Sequence, residues 1–292
     1  MRLHVVDGTW ELFRAYFSKR PDHVTPDGRP YKAVAGLASS LLALLHDPAE
    51  AVTHVAVAFD RPIESFRNDL YDGYKTGAGM PEDLFAQMVP AEEAVRAMGG
   101  VVWVCDRWEA DDALATAAVR FAGEVEQVRI LSPDKDQGQV LRGTRIVQVN
   151  RLTEKVIDED ALRAWRGVGP GSIADLLALI GDSADGIPGL PGWGEKSAAA
   201  VLARYGTIEA VPDDPAAWDV KVRGADRLAA TLAANRGDAM LFKKLATLWT
   251  DVPLAESLED LRWKGVPRAA WGDFCARGGL RGLAARPSRW AE

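Results

Sequence analysis

Cysteine is nearly absent from this 292-residue sequence: Cys105 and Cys275 are the only two, far apart and without a histidine or second cysteine at ligand spacing. Neither a zinc centre nor a disulfide framework is expected from such usage. Long apolar runs are missing as well. No stretch approaches the roughly 18 apolar residues of a membrane span, and the N-terminus enters an apolar strand pattern, Leu3 to Val6, without the flanks of a signal peptide. The expectation is a cytoplasmic chain with no membrane partner. Basic excess is lacking too. Lys and Arg total 35 against 42 Asp and Glu, for a net charge of −7, which is not the balance of a generic polyanion binder. Repeats and low-complexity segments do not occur. What remains is a globular composition, 48% hydrophobic and 26% charged, sufficient for a packed core.

The length favours one large α/β domain and a smaller helical one. Apolar, β-branched runs recur before acidic residues: Leu3 to Val6 ends at Asp7, His54 to Phe59 at Asp60, Val101 to Val104 near Asp106, and Val128 to Leu131 runs into Ser132, Pro133 and Asp134. Helical stretches such as Ala33 to Leu45 and Ala110 to Phe121 separate them, which predicts a mostly parallel sheet covered on both faces. In such Rossmann-like sheets ligands bind beyond the carboxyl ends of the strands, where Asp7, Asp60 and Asp134 are placed. From about residue 166 the pattern becomes Ala/Leu-rich and helical, broken by Gly and Pro, so the domain boundary is expected at 165/166. The stretch from Arg262 to Trp290 is locally basic, with Asp273 its single acid.

Three acidic groups stand out. Glu109, Asp111 and Asp112 open a helix, where dipole compensation alone would explain them. Asp134 and Asp136 alternate around Lys135 just past a strand, so both carboxylates can face one side, although a strand-end turn explains them equally well. Asp182 and Asp185, three apart, are expected on one face of a helical turn. With Asp7 and Asp60 these make nine acids at strand ends or segment boundaries. Carboxylates gathered so closely would be driven to take up protons unless cations screened them. Hard Mg²⁺ or Mn²⁺ prefers oxygen ligands, and a pair of such ions about 3.5–4 Å apart is a recurring device for phosphodiester hydrolysis. Concentrating acids for that purpose says nothing about the sign of the outer surface, which answers the objection from net charge.

Six stretches then occur in order: Val-Val-Asp-Gly-Thr at 5–9, Ala-Phe-Asp at 58–60, Ser-Phe-Arg-Asn-Asp-Leu-Tyr-Asp-Gly-Tyr-Lys at 65–75, Glu-Ala-Asp-Asp at 109–112, Asp-Lys-Asp at 134–136, and Gly-Asp-Ser-Ala-Asp-Gly-Ile-Pro-Gly-Leu-Pro-Gly-Trp-Gly-Glu-Lys at 181–196. Together they resemble the signatures of the bacterial 5′–3′ exonuclease and flap endonuclease family, which includes the N-terminal nuclease domain of DNA polymerase I. No polymerase segment is present, so the chain resembles a freestanding member. The resemblance implies a PIN-like core over 1–165 with an arch or clamp near 71–100. It also implies a helical DNA-binding domain over 166–292, with a helix–three-turn–helix near 182–206 followed by the C-terminal tail.

By position, the resemblance assigns Asp7, Asp60, Glu109 and Asp111 to a first metal cluster and Asp112, Asp134, Asp136, Asp182 and Asp185 to a second. It gives Lys75 and Arg67 phosphate-contacting catalytic roles. Tyr74 becomes a stacking partner for an unpaired base, with a buried tyrosine as the competing expectation. The resemblance also implies that Gly189, Gly192, Gly194 and Lys196 grip the duplex backbone, where the family often places a K⁺ ion, and exposed N–H groups at the following helix start suit phosphate independently. The implied activity is two-metal hydrolysis at 5′ flaps, overhangs, nicks or branches of DNA, and of RNA primer strands, by a monomer acting in replication and repair. A catalytically idle DNA-structure binder and a PIN-type endoribonuclease are the alternatives. Two departures stand out: Thr76-Gly-Ala-Gly-Met80 lacks the second basic residue usual after Tyr-Lys, and Gly186 replaces a common Asn, which is expected to loosen that turn.

Overall fold

The computed structural model describes residues 1–291. They divide into two compact units, each discontinuous in sequence: residues 1–63, 77–132 and 250 onward form the first, residues 64–76 and 133–249 the second.

The first unit is built on four parallel strands, β1 (Arg2–Asp7), β2 (His54–Asp60), β3 (Val101–Cys105) and β4 (Gln127–Leu131), in the order β3-β2-β1-β4. Val5, Val6, Ala56 to Phe59 and Ile130 are all within 1% of complete burial, so the central strands are apolar on both faces and read as unbroken hydrophobic runs. Helices α1 (Gly8–Tyr16) and α2 (Lys32–His46) lie between β1 and β2, and α3 (Glu82–Phe85) and α4 (Met88–Ala97) precede β3. Helix α5 (Ala110–Phe121) joins β3 to β4. The strand order advances from β1 to β3 and then returns past β1, so right-handed crossovers put α5 on the face opposite α1 to α4. That reversal creates a switch point between β1 and β4, where sheets of this kind bind ligands.

The second unit centres on α7 (Ile173–Ile180), whose Ile173, Leu176, Leu177 and Leu179 are fully buried. It packs against α8 (Glu195–Tyr205) and α10 (Arg236–Ala246), with α9 (Ala225–Ala234) beside α10. A short antiparallel pair, β5 (Ile146–Asn150) and β6 (Lys155–Ile157), leads into α6 (Glu159–Arg166). The Asp158 carboxylate caps α6 by accepting from Ala161 N–H, and Gly167 ends it in the left-handed region at φ +73°.

Compactness does not follow the expected cut at 165/166. Residues 135–140, a 3₁₀ turn, pack on α7 and so fall with the helices that follow. The basic C-terminal stretch, carrying α11 (Arg268–Gly278) and α12 (Arg281–Ala284), falls with the first unit, where Trp271 and Phe274 stack at 5.6 Å. Of the segment expected as an arch near 71–100, residues 88–97 are α4, seated on α2, and only the turns between Tyr71 and Glu82 lack a helix longer than four residues. No helix among the described residues is long and apolar enough to cross a membrane.

Candidate metal centre

In the first unit the expected acids collect at the carboxyl edge of the sheet. Asp7 ends β1 and caps α1: its Oδ1 accepts the N–H of Trp10 at 2.8 Å, and its Oδ2 accepts the Ser132 hydroxyl at 3.2 Å. Ser132 follows β4, so this bond spans the switch point. Asp60 ends β2. Its N–H donates to Thr9 Oγ1 at 2.8 Å, and its Oδ1 accepts the N–H of Ala110 at 2.7 Å, tying the start of α5 to the strand end. Glu109 is the N-cap of α5, and Asp112 Oδ2 accepts the Glu109 N–H at 3.0 Å. Asp112, expected in the second cluster, thus lies fully buried in the first unit and serves the helix cap, while Asp111 stands in the same first turn.

The second unit forms a tighter group. Ligand oxygens of Asp136, Asp182 and Asp185 lie within 4.8 Å of one another, and all three residues are buried. Asp134 caps the 3₁₀ turn by accepting the Asp136 N–H at 2.9 Å, and its carbonyl accepts from the Gln148 amide of β5, which buttresses the turn. Asp182 and Asp185 do not sit on a helical turn as expected. Reciprocal backbone bonds of 2.7 and 2.8 Å between Asp182 and Ile187 close a loop, within which Asp182 Oδ1 accepts the Ala184 N–H at 3.1 Å. The loop brings both carboxylates to one side by another route. Burial, followed by the negative charges of Asp134, Asp185 and Asp182, pushes the Asp136 carboxyl well above the ordinary range, with Lys135 opposing.

Lys75 joins this group. Its N–H donates to the Asp185 carbonyl at 3.0 Å, and its Nζ lies 2.9 Å from Asp185 Oδ1. Gly186 does not loosen the turn. At φ +76°, with a Cβ position that would fall 2.1 Å from the Gly73 carbonyl oxygen, it is the residue that lets the segment ending in Lys75 seat against the loop.

Two of the expected site residues are held within the second unit. Arg67 is only 2% exposed, and its guanidinium donates to the carbonyls of Leu245 and Thr247 at 2.8 and 2.9 Å, anchoring residues 64–76 to the end of α10 rather than facing a phosphate. Tyr74 is 4% exposed, beneath the Lys75 ammonium at 5.7 Å from its ring centroid, so its ring offers no open face for stacking.

The Gly-rich segment forms the turn into α8. Gly189 (φ +71°) packs so closely on the end of α7 that a Cβ would meet Gly181 N at 2.4 Å, and Gly192 (φ +82°) is exposed. Gly194 caps α8, its N–H donating to Ser197 Oγ at 3.2 Å, and Lys196 is exposed. Gly192, Gly194, Lys196 and Ser197 line an open cleft of about 640 Å³ together with Lys221 and Arg223. Sequence reasoning missed those two cations, because the loop bearing them has no motif. It also missed Lys135 as a partner of Asp182, at 2.5 Å, although Lys135 stands between two acids in the Asp-Lys-Asp motif.

Comparison with known proteins bears on the whole chain. Residues 2–165 match the family model described as 5′–3′ exonuclease, N-terminal resolvase-like domain, and residues 168–269 match 5′–3′ exonuclease, C-terminal SAM fold. A 5′–3′ exonuclease of Aquifex aeolicus is 30% identical over 263 residues, spanning 90% of this chain and 86% of that protein. DNA polymerase I of Pseudomonas aeruginosa is 38% identical over 275 residues, but those cover 91% of this chain and only 29% of the polymerase. The chain spans less than a third of the polymerases it matches. Among solved structures, the T5 D15 protein co-crystallised with metal ions superposes with a TM-score of 0.67 at 20% identity, over 85% of this chain and 90% of that one.

Proposed function

This chain belongs to the 5′–3′ exonuclease family, and from that premise we propose that it is a structure-specific 5′ nuclease hydrolysing DNA phosphodiesters with divalent cations held by its carboxylates. Its substrates in this proposal are 5′ flaps, overhangs and nicked or branched duplexes, including RNA primer strands, met during replication and repair. The carrying observation is the Asp136, Asp182 and Asp185 group, with ligand atoms within 4.8 Å of one another. Asp136 Oδ1 is buried with no hydrogen-bond partner, which is how a carboxylate oxygen shaped for a cation is left. The donor set is all oxygen, which suits hard ions such as Mg²⁺ or Mn²⁺.

We assign Asp7, Asp60, Glu109 and Asp111 to hold one ion. Asp134, Asp136, Asp182 and Asp185 hold another, with Asp112 retained chiefly as a cap. Bound divalent ions would acidify a water and offset charge on the scissile phosphate. The protein's own groups do the rest. Lys75 stands against Asp185 and can present its ammonium to a phosphate oxygen, while Lys196 and the N–H groups opening α8 take the duplex backbone without reading sequence. A K⁺ ion at the Gly-rich turn belongs to the same proposal. The name of the Aquifex aeolicus relative supports the nuclease reading, and the metal ions co-crystallised with the T5 protein support a divalent-ion site.

The test is electrophoretic. A 5′-flap duplex is bound in Ca²⁺, and Mg²⁺ is then added. Cleavage near the flap junction is expected; a stable uncut complex would establish an idle binder instead. Cleavage confined to single-stranded RNA would point to an endoribonuclease.

A further inference from the structure

The acidic group of the second unit contains its own counter-charges, and they come from both sides. Lys135 Nζ lies 2.5 Å from Asp182 Oδ2, and Lys75 Nζ lies 2.9 Å from Asp185 Oδ1. The two carboxylates are 4% and 9% exposed, so each ion pair is screened from water on its acidic side, where charge attraction exceeds that of a surface pair. Asp136 receives no such ammonium, and its Oδ1 stays buried without a partner.

We infer that Lys135 is a resident counter-cation of this group: it holds Asp182 in place in the metal-free protein and lowers the affinity of the group for a divalent ion. Lys135 can take this role because of its position. Lys135 opens the 3₁₀ turn capped by Asp134, and its flexible stem reaches Asp182 in the 182–187 loop. A lysine suits the task because its compact ammonium balances one charge without the paired donors of a guanidinium. The same pair cross-links the turn at 134–140 to the loop at 182–187, so the site stays preorganised before any ion arrives. The inference rests on the proposed metal role of this group, and the test separates the two.

Purified, metal-free wild-type protein and the variants Lys135→Met, Lys135→Arg and Asp136→Asn are titrated with Mn²⁺ by calorimetry in the absence of DNA, and melted in EDTA. Lys135→Met is expected to bind Mn²⁺ about tenfold more tightly, from the loss of one near-contact positive charge, and to melt at a lower temperature than wild type in EDTA. Lys135→Arg, which keeps the charge, is expected to bind like wild type. Asp136→Asn is expected to lose one Mn²⁺-binding event. Unchanged or weaker binding by Lys135→Met, with Asp136→Asn losing its event, would overturn the role of Lys135 alone. Should Asp136→Asn bind as wild type, the metal role of the group itself falls. If Lys135→Met does not fold, a Lys135→Arg protein with wild-type folding and an altered Mn²⁺ affinity overturns the charge-balance role.

Discussion

Among individual residues, ionised Asp136 carries an energetic cost that a bound cation or a proton offsets. Its carboxylate is buried beside three others, and repulsion there favours the protonated form. Replacing Asp136 with Asn therefore removes a destabilising charge. Thermal melts in EDTA should show the variant about 1–2 kcal/mol more stable than wild type, while Mn²⁺ raises the melting temperature of the variant less than that of wild type. His4 offers a contrast in pH dependence. Burial holds its pKa below the ordinary 6.5 despite the pull of Glu50. The neutral ring donates from Nε2 to Glu50 Oε2 at 2.9 Å, and its Nδ1 is buried with no partner for a second proton. The bond from His4, with help from Arg129, lowers Glu50 from an ordinary 4.5 to about 2. For both groups the unfolded chain binds protons more readily, so stability must fall on acidification. One loss begins as pH drops below 6.5 and a second runs from 4.5 toward 2. Denaturant titrations across pH check this, and His4→Gln should erase the upper step.

At the scale of elements, the four parallel strands and α5 were legible because burial on both faces demands unbroken apolar runs. Strands β5 and β6 were not: the buried Gln148 interrupts the apolar run of β5, and β6 has only Ile157 buried, so neither reads as an unbroken hydrophobic run. The loop at 182–187 was mistaken for a helical turn because three-residue spacing alone cannot distinguish a helix from a loop closed by backbone bonds. Arg67 shows a related limit. A cation within a nuclease-like motif suggests a phosphate, and only tertiary structure reveals that backbone carbonyls at the end of α10 are its partners. Arg67→Met should cost about 3 kcal/mol of stability through loss of its charge-assisted bonds, those to Leu245 and Thr247 among them. The salt dependence of DNA binding by the folded variant should equal that of wild type. A flatter slope would restore the phosphate contact to Arg67.

For the whole molecule, the acids were legible as a set because chains rarely place so many carboxylates at strand ends without a cation to hold. Their division was less legible. Asp112 is a cap, Asp136 is buried with one oxygen lacking a hydrogen-bond partner, and two lysines offset part of the charge; these distinctions arise from burial and side-chain reach, which spacing does not encode. Net charge misleads at this scale for the same reason, since it pools buried carboxylates with the exposed surface. Single-turnover cleavage of a 5′-flap duplex in Mg²⁺ by Asp60→Asn and Asp136→Asn, one variant from each compact unit, is the most direct measurement. Each should cut at least about a hundredfold more slowly than wild type while still binding the flap in Ca²⁺. Near wild-type cleavage by either variant would contradict a hydrolysis that depends on both carboxylate groups.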